Sequence, residues 1–283
     1  MRRGVVPPHT PQRNATSAPR FRTVSEDSLG TPIFDDPSAV VIGNFDGVHR
    51  GHVSLLQDAA AVASAEGLSL TVLTFDPHPS AVVGRGAPPR LTTLERRAAL
   101  LIGAGADRVV VRNFDTAFAS YSPAQFARDL LARTLRAKLV VVGENFRFGH
   151  KREGDYATLQ RLGKEMGVLG FETRVARIVT DVRGPFSSTR ARVALEAGDI
   201  VETSHVLGRF HVISGTVVHG DARGRTIGFP TANLADVPEL TPPNGVYAVS
   251  VFRDSEASRS EGSGAEPLAN GVMNIGVRPT VSG

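Results

Sequence analysis

The stretch AVVIGNFDGVHRGH, residues 39–52, decides how the chain folds. Its first four residues are apolar without alternation, the pattern of a strand buried on both faces of a parallel sheet. Gly43, Gly47 and Gly51 then permit tight turns, and an amphipathic segment follows over 52–66. Further strand-like runs fall at 69–74, 108–111, 139–142 and 171–176, separated by helical periods at 92–103, 123–135 and 155–167. Ser122 and Pro123 form the clearest helix start, a Ser cap followed by Pro in the first turn. Five β–α alternations predict an α/β fold, a doubly wound parallel sheet with helices on both faces. Ligands of such sheets sit beyond the carboxyl ends of the strands, where the strand order reverses.

After Gly208 the character changes. Runs at 210–219, 246–252 and 268–275 read as strands joined by Gly, Pro and Asn turns, and 253–267 is a polar Ser/Gly-rich loop. A second, antiparallel all-β unit is expected over 208–283, with about four strands, few for a closed barrel. Residues 1–36 are Arg-rich and interrupted by Pro7, Pro8, Pro11, Pro19 and Pro32, and are expected to form a disordered basic tail, with an organellar leader as the alternative.

Composition narrows the function. The chain of 283 residues carries 32 basic and 28 acidic side chains, a net charge of +4 and a pI near 9.9. Only Lys138, Lys151 and Lys164 are lysines; the other basic residues are Arg, which do not titrate below about pH 12 and push the pI upward. Five of those Arg lie in residues 1–34, so the body is nearly neutral and no nucleic-acid partner is expected. No apolar run reaches the length of a membrane span, so no membrane partner is expected either. The absence of Cys removes thiolate chemistry and Cys-bound zinc, and is compatible with a reducing cytoplasm.

The turn at 43–52 opens a helix, whose N-terminus directs amide hydrogens and partial positive charge at any ligand there. His49 and His52 lie three apart across that start; either alone reads more readily as a satisfied core or surface histidine, but the pair in a glycine-rich turn after the first strand points to phosphate handling. A zinc site is the lesser option, with only Asp46 nearby to complete it. Asp76 and His78 follow the second strand in a Pro-stiffened turn. Asn145, Arg147 and Arg152 alternate with Phe146 and Phe148, a pattern fit for a flat heteroaromatic ring with a phosphate tail, or for ordinary core Phe beside solvated Arg. Ser187, Ser188, Thr189, Arg190 and Arg192 gather hydroxyls and guanidinium groups at a helix start, as a polyphosphate clamp or as plain caps.

With these motifs in order, GNFDGVHRGH, TFDPHP (74–79), GENFRFGHKREGD (143–155), SSTRAR (187–192), GFPTAN (228–233) and NIGVRPT (274–280), the chain resembles the bifunctional riboflavin kinase/FMN adenylyltransferases, the prokaryotic FAD synthetases. The resemblance implies a Rossmann-like nucleotidylyltransferase domain over 37–207 that transfers AMP from ATP to FMN, giving FAD and pyrophosphate, followed by a partial riboflavin kinase barrel over 208–283. It implies Mg²⁺ as cofactor and ATP, FMN and riboflavin as substrates. It places catalysis on His49, His52 and Arg190, and ATP on Gly43, Asn44, Phe45, Asp46, Gly47, Ser188, Thr189 and Arg192. Flavin contacts fall on Asp76, His78, Asn145, Phe146, Arg147, Phe148 and Arg152. In the kinase unit, nucleotide contacts fall on Gly228, Pro230, Thr231 and Asn233, the last two also holding Mg²⁺. Two departures are visible. Gly184, Pro185 and Phe186 replace an aliphatic lead-in to the serines, and the chain stops soon after NIGVRPT. The second predicts impaired riboflavin phosphorylation. The rival readings are an adenylyltransferase for another phosphate-bearing acceptor and a catalytically inactive flavin-binding regulator.

Overall fold

The computed structural model describes residues 20–219, 231–253 and 266–276. Six strands, β1 (Phe21–Val24), β2 (Ser38–Ile42), β3 (Ser69–Asp76), β4 (Arg108–Asn113), β5 (Ala137–Val142) and β6 (Glu172–Val175), form one parallel sheet in the order β1-β4-β3-β2-β5-β6. Helices α1 (Arg50–Ala65), α2 (Pro79–Val82), α3 (Leu94–Gly103), α4 (Thr116–Ala119), α5 (Pro123–Gln125) and α6 (Tyr156–Glu165) fill the connections. From α5 the chain continues as a π-helix over Phe126–Thr134. The unalternating strands are explained by burial on both sides. Val40, Ile42, Leu73, Val110, Val140 and Val142 pack against Phe126, Leu130, Leu131, Leu159 and Leu162. Their neighbours Ala39, Val41, Val72, Val109, Val111 and Val141 pack against α1 and α3 through Leu56, Ala59, Ala63, Ala98 and Leu101.

Strand β1 corrects the expected tail. Residues 20–36 are part of the sheet domain, with β1 pairing in parallel along β4 and Val24 and Phe34 left 1% and 5% exposed. Phe34 lies under the Arg108 guanidinium, 4.0 Å from its ring centre, and that guanidinium also bonds the Asp36 carboxylate. A four-residue strand in a Pro- and Ser-rich setting leaves no periodicity to read.

A hairpin of β7 (Thr180–Asp181) and β8 (Gly184–Pro185) leads into α7 (Ser188–Glu196) and α8 (Ile200–Leu207), which close a small core of Leu91, Ala191, Leu195, Val206 and Leu207. Beyond it, β9 (Thr216–Val218) pairs antiparallel with β10 (Asn233–Ala235), and β11 (Gly245–Arg253) with β12 (Glu266–Ile275). The run expected over 210–219 is a strand only at its end, and β10 was not foreseen. The loop expected over 253–267 falls largely outside the described residues. The β unit is tied to the sheet domain by Leu240, whose amide donates to the Arg90 carbonyl at 2.7 Å and whose carbonyl lies 2.8 Å from His211 Nε2.

If residues 20–36 belong to the core, Phe34→Ala will lower unfolding free energy by about 3–5 kcal/mol, read by urea denaturation. A stability unchanged by that substitution would return the segment to the tail.

Candidate active site

Strand β2 has β3 on one side and β5 on the other, so the strand order reverses between β2 and β5. The loops leaving those two strands, 43–49 and 143–152, therefore emerge together at the carboxyl edge. The first is tightly wound: Phe45, Gly47 and Val48 adopt φ of 51°, 80° and 39°. Left-handed backbone is unusual for Phe and more so for β-branched Val, and persists where the surroundings over-determine it.

The loop delivers His49 as the N-cap residue of α1. Its ring stacks on that of His52 with centres 3.6 Å apart and planes 23° from parallel, and Phe45 meets His52 edge-on at 4.9 Å. Gly51 makes this possible, since a Cβ there would stand 3.1 Å from the His49 ring and 3.4 Å from the Phe186 carbonyl. The Nδ1 atoms of both histidines are buried without a hydrogen-bond partner. Burial, then the Arg209 charge, pushes His49 down to about 4. His52 is lowered as well, by burial first and then by His49, Arg97 and Arg209. Both rings are neutral in the free protein at pH 7.

Asp46 is the hub beneath them. Its carboxylate, 6% exposed as a residue, accepts from the amides of Leu91 (2.9 Å) and Thr92 (3.1 Å), the Thr92 hydroxyl (3.1 Å) and Arg192 Nη2 (2.6 Å). The Asp46 carbonyl accepts from Ser188 Oγ at 2.7 Å. Asn44 is held likewise: its carbonyl accepts from Thr74 Oγ1 and Arg97 Nη1, each at 3.1 Å, and its side-chain amide lies 2.9 Å from His78 Nε2. His78 Nδ1 accepts from the Ser80 amide, and burial followed by the Arg192 charge lowers its pKa.

The second expected cluster arrives at the same place. Ser187 caps α7 by accepting from the Arg190 amide, and Thr189 is exposed in its first turn. Arg190, expected to meet phosphate, instead donates from Nη1 and Nη2 to Asp181 at 2.9 and 2.8 Å and from Nε to Glu202 at 2.7 Å. Its hydrogen bonds hold the Asp181 carboxyl well below the usual range. Two carboxylates neutralise this guanidinium, which makes Arg190 the anchor of α7 against α8 and the hairpin. Arg192 is occupied by Asp46 and the Pro89 carbonyl.

Family models place the chain. An FAD synthetase model matches residues 32–190, and a riboflavin kinase model matches 207–283. The chain belongs to the bifunctional riboflavin kinase/FMN adenylyltransferase family. It is 42% identical over 245 residues to the Escherichia coli K12 enzyme of that name, covering 86% of this chain and 74% of the relative. The Bacillus subtilis enzyme of the same name is 37% identical over 246 residues, covering 86% and 73%. A crystal structure described as a macrolide-efflux protein from Streptococcus pneumoniae superposes with a TM-score of 0.67 at 29% identity, covering 81% of this chain and 73% of that one. Among the described residues no helix is long and apolar enough to cross a membrane. The enzyme is thus an FAD synthetase with an appended riboflavin kinase unit, and ATP, FMN and riboflavin are the substrates of its type.

In the loop of this synthetase expected to meet the flavin, Asn145, Arg147 and Arg152 are exposed and Phe146 is half-buried. Phe148 is a correction: at 6% exposure it sits in the core against Phe126, bridged to Gly154. Asp76 pairs with Arg90 at 3.2 Å. In the kinase unit Thr231 is exposed and Asn233 begins β10, whereas Gly228 and Pro230 lie outside the described residues. Glu239, in the loop between β10 and β11, is buried and accepts from the Ser214 amide and hydroxyl at 3.0 and 2.6 Å. Sequence reasoning missed Arg97 and Arg209. Arg97 left a signal, a cation on the core-facing stripe of α3 beside Ala98 and Leu101.

Asp46→Ala strands Arg97 and Arg192 without their carboxylate and is expected to cost about 3–5 kcal/mol in urea unfolding. The depressed His49 pKa gives a pH effect of definite sign. The unfolded chain binds the His49 proton near pH 6.5 and the folded one near 4, so stability is full above 6.5 and falls as pH drops toward 4. The loss reaches about 3 kcal/mol for this residue. His49→Gln should remove that part of the slope; an unaltered slope would contradict a buried neutral ring.

Proposed function

We propose that residues 37–207 perform adenylyl transfer and that His49 and His52 handle the phosphates. The observation that carries this reading is the stacked imidazole pair, with buried and unpartnered Nδ1 atoms, at the N-terminus of α1 beside the strand-order reversal. An FMN phosphate oxygen attacks the α-phosphorus of ATP in line. The bond from that phosphorus to the oxygen bridging to the β-phosphate breaks, and pyrophosphate leaves with the electron pair. Neutral imidazoles donate N–H hydrogen bonds, and the approaching triphosphate raises their pKa toward the charged form as charge develops. Gly43, Gly47, Ser188 and Thr189 line the nucleotide path, while Asn44, Asp46, Arg190 and Arg192 position it. Asp76, His78, Asn145, Phe146, Arg147 and Arg152 face the flavin.

In the β unit, the hydroxyl of Thr231 and the amide oxygen of Asn233 are hard-oxygen donors that fit Mg²⁺. The described residues contain no cluster of three His, Asp or Glu near the histidine pair, so an ion in the adenylyl site would rest chiefly on phosphate oxygens. Mg²⁺ supplies charge neutralisation of the phosphates. The enzyme works in the cytoplasm on small molecules, without nucleic acid or membrane.

Replacing His49 or His52 by Ala should lower turnover of FMN to FAD by about 10²–10³-fold, measured by separating the flavins after incubation with ATP and Mg²⁺. A double variant working at the wild-type rate would overturn the assignment.

A further inference from the structure

Arg209 follows the left-handed cap Gly208, φ 74°, at the end of α8, and so is among the first residues of the β unit. Its side chain does not turn toward that unit. Nη2 donates to the Gly47 carbonyl at 2.5 Å, and Nη1 to those of Val48 at 2.9 Å and Leu207 at 3.1 Å. Among the described residues no carboxylate lies within ion-pair distance of it, and its charged neighbour is Arg96. Burial and Arg96 bring it down to about 10, so it remains a cation at neutral pH. Two of its three hydrogen bonds go to peptide carbonyls of the histidine loop, and the third to the end of α8.

We propose that Arg209 is a positioning residue for adenylyl transfer, by which the first turn of the β unit holds the nucleotide loop in its working shape. The inference rests on the phosphate-handling role proposed for His49 and His52. Gly47 and Val48 carry the loop's last two left-handed φ angles before His49. A β-branched residue at φ 39° relaxes unless its neighbours hold it. Arg97 grips the Asn44 carbonyl from α3, and Arg209 grips the two carbonyls nearest His49. Release of the Val48 carbonyl rotates the peptide that sets the direction of His49, and turns a lone pair loose beside the incoming phosphates. A displacement of about 1 Å at a reacting group costs on the order of 10²-fold.

The test uses the full chain carrying Arg209→Met or Arg209→Lys, with ATP and FMN varied separately and thermal unfolding recorded. Arg209→Met should raise KM for ATP roughly tenfold and lower kcat/KM for ATP about 10²-fold. KM for FMN should stay near wild type, and Arg209→Lys, which keeps one charged donor, should recover part of the loss. An unchanged KM for ATP, or a parallel loss of both substrates with a lowered melting temperature, overturns the proposal. His49→Ala is assayed beside it. If that variant is inactive while Arg209→Met is normal, only the role of Arg209 fails; if His49→Ala is fully active, the site assignment itself fails.

Discussion

The carboxylate of Asp46 joins three pieces of chain that are far apart in sequence. It takes the amides of residues 91 and 92 before α3, the guanidinium of Arg192 on α7, and its own place in the loop after β2. A buried carboxylate is tolerated only when its lone pairs are filled, and here they are filled from three directions. The consequence is geometric. Helix α7 cannot leave the loop without uncovering a charge, so the N-termini of α1 and α7 stay together. Under the proposed function, Thr189 and the histidine pair then address one triphosphate.

Burial is what tunes the histidines. Their rings are stacked at van der Waals distance, covered by Phe45 and flanked by Arg97 and Arg209, so a proton on either is disfavoured by desolvation and by like charge. In the proposed mechanism this uncharged pair gains positive character as the polyanion arrives. The same burial ties activity to folding, since the loop holding the rings is strained and is kept in place by contacts from α3, α7 and the β unit.

Much of this was legible. The run AVVI followed by glycines and two histidines gave the first βα unit, and unalternating strands gave a sheet covered on both sides. The strand order, and with it the point of reversal between β2 and β5, is visible only in the structure. What was hidden is hidden for physical reasons. A motif records which residue types recur, not whether a polar group faces ligand or protein. Asp46 and Arg190 lie inside motifs expected to face ligand, yet their charges are satisfied internally. Phe148 alternates with Arg in sequence, but strand-like alternation sends it into the core. Strand β1 is too short to show a period, and Arg209 acts on main-chain carbonyls, which have no sequence signature.

The central claim is that the imidazole pair is neutral because the locked loop buries it. Side-chain NMR titration of the free enzyme with labelled histidine measures this directly. His49 should titrate near pH 4 and His52 well below the ordinary histidine range, both rising when ATP is added. Midpoints at or above 6.5 in the free enzyme would contradict the account.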